Sequence, residues 1–219
     1  MNTQFVYKPG LPEAGSARLP LKVAVLAFQD GTEDFTRRGS VLVASGYINF
    51  AKAGYSGMMT ALPPPLWAKF LAEDMAASGV FRSVRFAFDA SEVGGDEIAI
   101  SGTVLKAYFP FDGEDPSLLA VRLEARVGRG GEAFWHKEIS REVPFGKGWG
   151  VGCGLTPQCS IDNFHGHHRR LLQEIFLEAR RDLVAALQRR GGGAKDEPAG
   201  KGRASGSVDE IITDIIRGK

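Results

Sequence analysis

From Leu119 to Val127 the chain alternates: Leu119, Val121, Leu123, Ala125 and Val127 are apolar, while Arg122, Glu124 and Arg126 between them are charged. A period of two puts the two sets on opposite faces of a β-strand, one dry and one wet. Gly128-Arg129-Gly130-Gly131 then reads as a hairpin turn into a further strand, Ala133 to Val143. Upstream, Ile98, Ile100, Gly102 and Val104 lead a longer strand to about Phe109, and Val84, Phe86 and Phe88 alternate with Ser83, Arg85 and Ala87. Leu21 to Phe28 is apolar at both parities, with Leu21, Val23 and Val25 on one face and Ala24, Leu26 and Phe28 on the other. That pattern predicts a central strand buried on both sides.

Two segments carry helical spacing instead. Leu66, Phe70, Leu71 and Met75, preceded by Pro63-Pro64-Pro65 and followed by Gly79, predict an amphipathic helix from about Pro65 to Ser78. Leu172, Ile175, Phe176, Ala179, Leu183, Ala186 and Leu187 predict a second, from about Arg169 to Arg189, stopped by Gly191-Gly192-Gly193. The order β-α-β-β-β-β-α gives an α/β (α+β) domain: a mixed sheet of about five strands with two long helices packed on it. The first two strands are parallel and the last form an antiparallel meander. The expected organisation is an extended arm over 1–20, the domain over 21–190, a disordered linker over 191–206 and a short amphipathic helix over 207–219. Ser207 and Glu210 form a capping box for that last helix, whose stripe is Val208, Ile211, Ile212, Ile215 and Ile216.

Two stretches lack either period, 29–62 and 144–168. Unpatterned segments of such length are commonly functional. The first carries Phe35, Tyr47, Phe50, Tyr55, Met58 and Met59, which serve either as a lid over the core or as a contact surface. These six residues, with Ile211, Ile212, Ile215 and Ile216, are the candidate partner-binding positions. The second holds Cys153 and Cys159, whose C-x5-C spacing fits a structural disulfide; two free thiols or a metal or redox role are the alternatives. It also holds His165, His167 and His168. His165 and His167 are the candidate metal ligands, against a plain surface histidine cluster ahead of a helix.

A net charge of +1 supplies no field for nucleic acid, and no apolar run reaches the roughly 18 residues of a spanning helix. Neither the Walker spacing nor G-x-S-x-G occurs, so no catalytic residues and no cofactor are expected.

Three short motifs carry a family resemblance. Leu21 to Asp30 is an apolar strand ending in Phe28-Gln29-Asp30; a helix then leads into Gly79-Val80-Phe81-Arg82-Ser83-Val84; and Asp96 to Val104 runs through Ser101-Gly102. Their order resembles that in bacterial envelope lipoproteins: the auxiliary lipoproteins of ABC-type transport systems, the curli-secretion lipoprotein group and the N-terminal domain of the TolB translocation protein. It spans about 21–143. The resemblance implies a non-catalytic, periplasmic, lipid-anchored protein, with the outer membrane as its site. Its partners would be envelope or transport-system proteins, reached as an accessory or assembly component. This sequence lacks a lipobox cysteine, and Met1 is expected to replace a processed N-terminus. The alternatives are a metal-binding or enzymatic protein built on 144–168, tested by metal content, and a cytosolic assembly module, tested by free thiols.

Overall fold

The computed structural model describes residues 4–10, 18–33, 47–52, 62–110, 115–144, 152–153 and 156–193. Its strands are β1 (Leu19–Leu26), β2 (Gln29–Asp30), β3 (Tyr47–Asn49), β4 (Phe81–Ala87), β5 (Glu97–Pro110), β6 (Pro116–Val127) and β7 (Ala133–Pro144). Its helices are α1 (Pro64–Ser78) and α2 (Pro157–Gly193). The five long strands lie in the order β4-β1-β5-β6-β7. β1 is parallel to both its neighbours, and β5, β6 and β7 form the antiparallel meander. The mixed sheet with two packed helices is as the periodicities predict.

β5 is the longest strand, at 14 residues, and needs backbone partners along its whole length. β6 serves one edge. The other edge is served in succession by β1 at Glu97 to Ile100, β2 at Thr103 and Val104, and β3 at Tyr108 to Pro110. The change from β1 to β2 corrects the expected strand Leu21 to Phe28. β1 stops at Leu26, and Phe28 turns into the core rather than continuing the outer face. Gly102 makes room for it: a Cβ there would stand 2.7 Å from the Phe28 ring and 2.9 Å from Leu123.

The buried hydrophobic side chains of both helices, such as Trp67 and Phe176, belong to one cluster with the inward residues of the sheet, among them Val23, Ile100, Val121, Leu123 and Ile139. α1 begins at Pro64, with proline in its first turn, where a missing N–H costs nothing. It ends at Gly79 with φ 71, the left-handed conformation that favours glycine. α2 starts at Pro157, not Arg169, and runs through the three glycines to Gly193. Ile161, Phe164 and His168 extend its buried stripe backward at spacings of three and four, so residues 157–168 of the segment expected as loop are helical.

The N-terminal segment is not a free arm. Phe5 and Tyr7 are buried against Phe70 of α1, and Tyr7 also meets Phe176 of α2. Its backbone is held by side chains: Arg169 Nε donates to Val6 O, Gln173 Nε2 to Lys8 O, and Gly10 N–H donates to Asp74 Oδ1. Asp74 and Arg180 form an ion pair at 2.8 Å with both side chains buried, and the Tyr7 hydroxyl donates to Asp74 at 3.1 Å. Burial, then the charge of Asp74, raises the Tyr7 pKa far above its ordinary value, so Tyr7 stays a donor. The expected linker and terminal helix at 194–219 lie outside the described residues.

Removing one member of a buried ion pair leaves the other charge uncompensated. Arg180→Ala is expected to lower stability by about 3–5 kcal/mol. Urea denaturation monitored by circular dichroism checks this, and limited proteolysis should show earlier cleavage before Pro9.

Candidate functional site

Both helices lie on one face of the sheet, and the other face is open. At its β4 end, a small second cluster of Ala24, Leu26, Val93 and Ala99 is covered by the 88–96 connection. This connection contains a 3-10 turn, Ala90–Glu92, closed by a capping box between Asp89 and Glu92. Arg129 from the β6–β7 turn ties it down, donating to the carbonyls of Ala90 and Ser91. Beyond this covering, the face is polar. Arg122 pairs with Glu138 across β6 and β7, Glu124 with Arg126 along β6, and His136 Nε2 lies 3.2 Å from Glu124.

A groove of about 400 Å³ runs between this polar floor and the turn, lined by Gln29, Phe88, Ser101, Thr103, Arg122 and His136 among others. Phe88 is 75% exposed, an unusual state for so large an apolar ring, and stacks edge-on against Phe86 at 4.8 Å. At the β4 end, Arg85 donates to Glu97 through Nε at 3.0 Å and Nη2 at 2.7 Å. Those bonds hold the Glu97 carboxyl below its ordinary pKa. The charges of this face are engaged with one another, which gives a surface of balanced sign with donors and acceptors interleaved.

The helical face carries its own charge stripe. Trp135 Nε1 donates to Asp182 at 2.7 Å, Lys137 reaches Glu178 and Asp182, and Arg141 donates to Glu178. Lys137 and Arg141 are inward-pointing charges on the edge strand β7, a device that discourages edge-to-edge pairing.

The two cysteines are joined: Cys153 and Cys159 form a disulfide between a buried turn residue and the first turn of α2. The histidines do not form a surface cluster, and they do not converge on one point. His167 Nε2 sits 3.1 Å from Ser117 Oγ, while the His165 ring stands edge-on to Phe5. His168, fully buried among Phe50, Phe109 and Phe164, donates from Nδ1 to Phe164 O. Among the described residues no group of three or more His, Cys, Asp or Glu side chains is placed to hold a metal ion. The candidate ligands His165 and His167 face different neighbours, Phe5 and Ser117. Their places on α2 turn them into the core, where the neighbours are rings and a hydroxyl.

Of the candidate contact residues, Phe50 is buried, with its ring 4.7 Å from that of His168. It closes the core rather than offering a surface. Tyr47 is half-buried in β3, 6.4 Å from the Tyr108 ring. Phe35, Tyr55, Met58, Met59, Ile211, Ile212, Ile215 and Ile216 lie outside the described residues. Sequence reasoning missed the open-face groove and Phe88, which it assigned to the buried parity of a strand. The signal available was the sequence Phe88-Asp89-Ala90-Ser91-Glu92, which reads as an N-capped turn.

This two-layer arrangement, a mixed five-strand core sheet with both helices on one side, occurs among solved structures. Protein XCC0632 from Xanthomonas campestris, a DUF330 family protein, superposes with a TM-score of 0.50 at 9% sequence identity, over 78% of this chain and 89% of its own. A second solved protein, uncharacterised, gives a TM-score of 0.42 at 11% identity, over 74% and 94% respectively. Likeness to XCC0632 at this identity speaks for the fold. No protein-family model matches the chain, and no curated protein does.

Burial lowers the pKa of all three core histidines, to about 4 for His167 and about 3 for His168. In the unfolded chain each would titrate near 6.5. Below that pH the unfolded state binds more protons than the folded one, so stability falls as pH drops. The loss is complete once pH reaches the folded value. Between pH 6.5 and 5, His168 is expected to cost about 2 kcal/mol, at about 1.4 kcal/mol per pH unit. Chemical denaturation of the parent and His168→Leu at both pH values checks this. The fall in stability should be smaller in the variant by that amount.

Proposed function

We propose that the protein is a cell-envelope lipoprotein that works by binding, as an accessory or assembly component of a transport or secretion system. The observation that carries this reading is the open sheet face. It is a wide polar surface with paired charges and an exposed aromatic, Phe88, at the rim of a shallow groove. Arg, aromatic side chains and interleaved hydrogen-bonding groups are what protein contact surfaces use. Arg122 and Arg126 are engaged in ion pairs with Glu138 and Glu124, and His136 Nε2 lies 3.2 Å from the same Glu124.

The joined cysteines support the proposed compartment. A disulfide is maintained where thiols are not kept reduced, and a bacterial periplasm is such a place. The fixed N-terminal segment bears on orientation. Residues 4–10 lie in the furrow between α1 and α2, so a lipid anchor joined to that segment would turn the helical layer toward the membrane. The open face would then point away, toward partners.

Site-specific photocrosslinking in the native host tests this. A photoreactive residue at Phe88 is expected to capture a discrete envelope protein, and the same group at exposed Lys69 on α1 is not. The protein itself should fractionate with membranes. A cytosolic protein with free Cys153 and Cys159 thiols, or equal capture from both positions, counts against the reading.

A further inference from the structure

The two sulfurs of the Cys153–Cys159 disulfide differ in surroundings. Cys153 is 6% exposed, and Cys159 is half-buried in the first turn of α2. Asn163, one turn further along and exposed, places its Nδ2 donor 3.2 Å from Cys153 Sγ and 4.0 Å from Cys159 Sγ. Backbone bonds from Thr156 N–H to Cys153 O and from Cys159 N–H to Thr156 O hold the turn that joins them.

We infer that this disulfide is an exchange site for a dithiol protein or small dithiol, and that every mixed disulfide passes through Cys159. This goes beyond binding as the protein's role. A thiolate must approach along the S–S axis, and of the two residues Cys159 is the less buried. Attack there forms a bond from the incoming sulfur to Cys159 Sγ and breaks the Cys153–Cys159 bond. The electron pair leaves on Cys153 Sγ. The Asn163 N–H already points at that atom, so the leaving thiolate is met by a hydrogen-bond donor as its charge develops.

The second thiolate of the dithiol then attacks its own sulfur in the mixed disulfide and expels Cys159 as a thiolate. That sulfur sits in the first turn of a 37-residue helix, whose N-terminal end favours negative charge. The sum is balanced: the dithiol loses two electrons and two protons and becomes a disulfide, and Cys153 and Cys159 gain them as thiols. Each leaving sulfur has its own support, Asn163 for the first step and the helix start for the second. In the reverse direction the same geometry makes Cys159 the attacking thiolate and Cys153 the resolving one.

Reduced glutathione, a monothiol, is the probe. The folded full chain is treated with it, quenched in acid, alkylated and mapped by peptide mass spectrometry. The expected result is glutathione on Cys159 with the alkyl group on Cys153. Asn163→Ala should slow this first step about tenfold, the loss of roughly one hydrogen bond to charge, with thermal stability of the oxidised protein unchanged. Asn163→Asp should slow it further. Glutathione on Cys153, or an even split, overturns the inference. So does a rate unaffected by Asn163→Ala, or one equal to the rate of global unfolding.

Discussion

A strand as long as β5 carries donors and acceptors on both edges, and none of them can be buried without a partner. β6 answers one edge, with a single register shift between Val104 and Lys106, while the other is answered piecewise by β1, β2 and β3. That division decides where the chain bends. β1 must stop at Leu26, the chain must step inward at Phe28, and Gly102 must be without a side chain for the ring to enter. The same arrangement leaves β5 and β6 bearing the open face, because the helices are drawn to the side where Ile100, Val104, Val121 and Leu123 point.

On the covered side the two helices do not seal the core by themselves. The N-terminal segment lies in the furrow between them, and its hold combines ring packing with a buried charge pair. Desolvating Asp74 and Arg180 is expensive, and such a pair stands only when its remaining hydrogen-bonding capacity is met. Tyr7 and Gly10 meet it on the Asp74 side. The ion pair therefore binds three elements at once and couples the position of the N-terminus to the relative placement of α1 and α2. The histidines of α2 follow the same logic in reverse: burial keeps them neutral, and they pack as rings.

For function, the asymmetry of the two faces matters more than any single residue. One face is covered and holds the histidines and the Asp74–Arg180 pair. The other is solvated, carries charges that satisfy one another, and is rimmed by a ring of high exposure. A surface of this kind suits recognition. The exchange chemistry inferred for Cys153 and Cys159 lies apart from that surface, at the start of α2.

Much of this architecture was written in the order of residues. Alternation from Leu119 to Val127 fixes a strand with one wet face, because side chains of a strand must point to opposite sides. Pro63 to Gly79 fixes a helix with its start and stop, because proline and glycine act on the backbone locally. The C-x5-C spacing allowed the disulfide, since two cysteines that near in sequence can be brought within bonding reach by a turn. What sequence order left open depends on contacts between distant residues. Asp74 and Arg180 look like surface charges until two helices meet, and Phe5 and Tyr7 look like part of a loose arm until a furrow exists to hold them. His168 reads as polar, and Phe50 and Phe88 read alike as apolar. Tertiary structure alone buries His168 and Phe50 and exposes Phe88, because burial belongs to the assembled surfaces and not to the side chain.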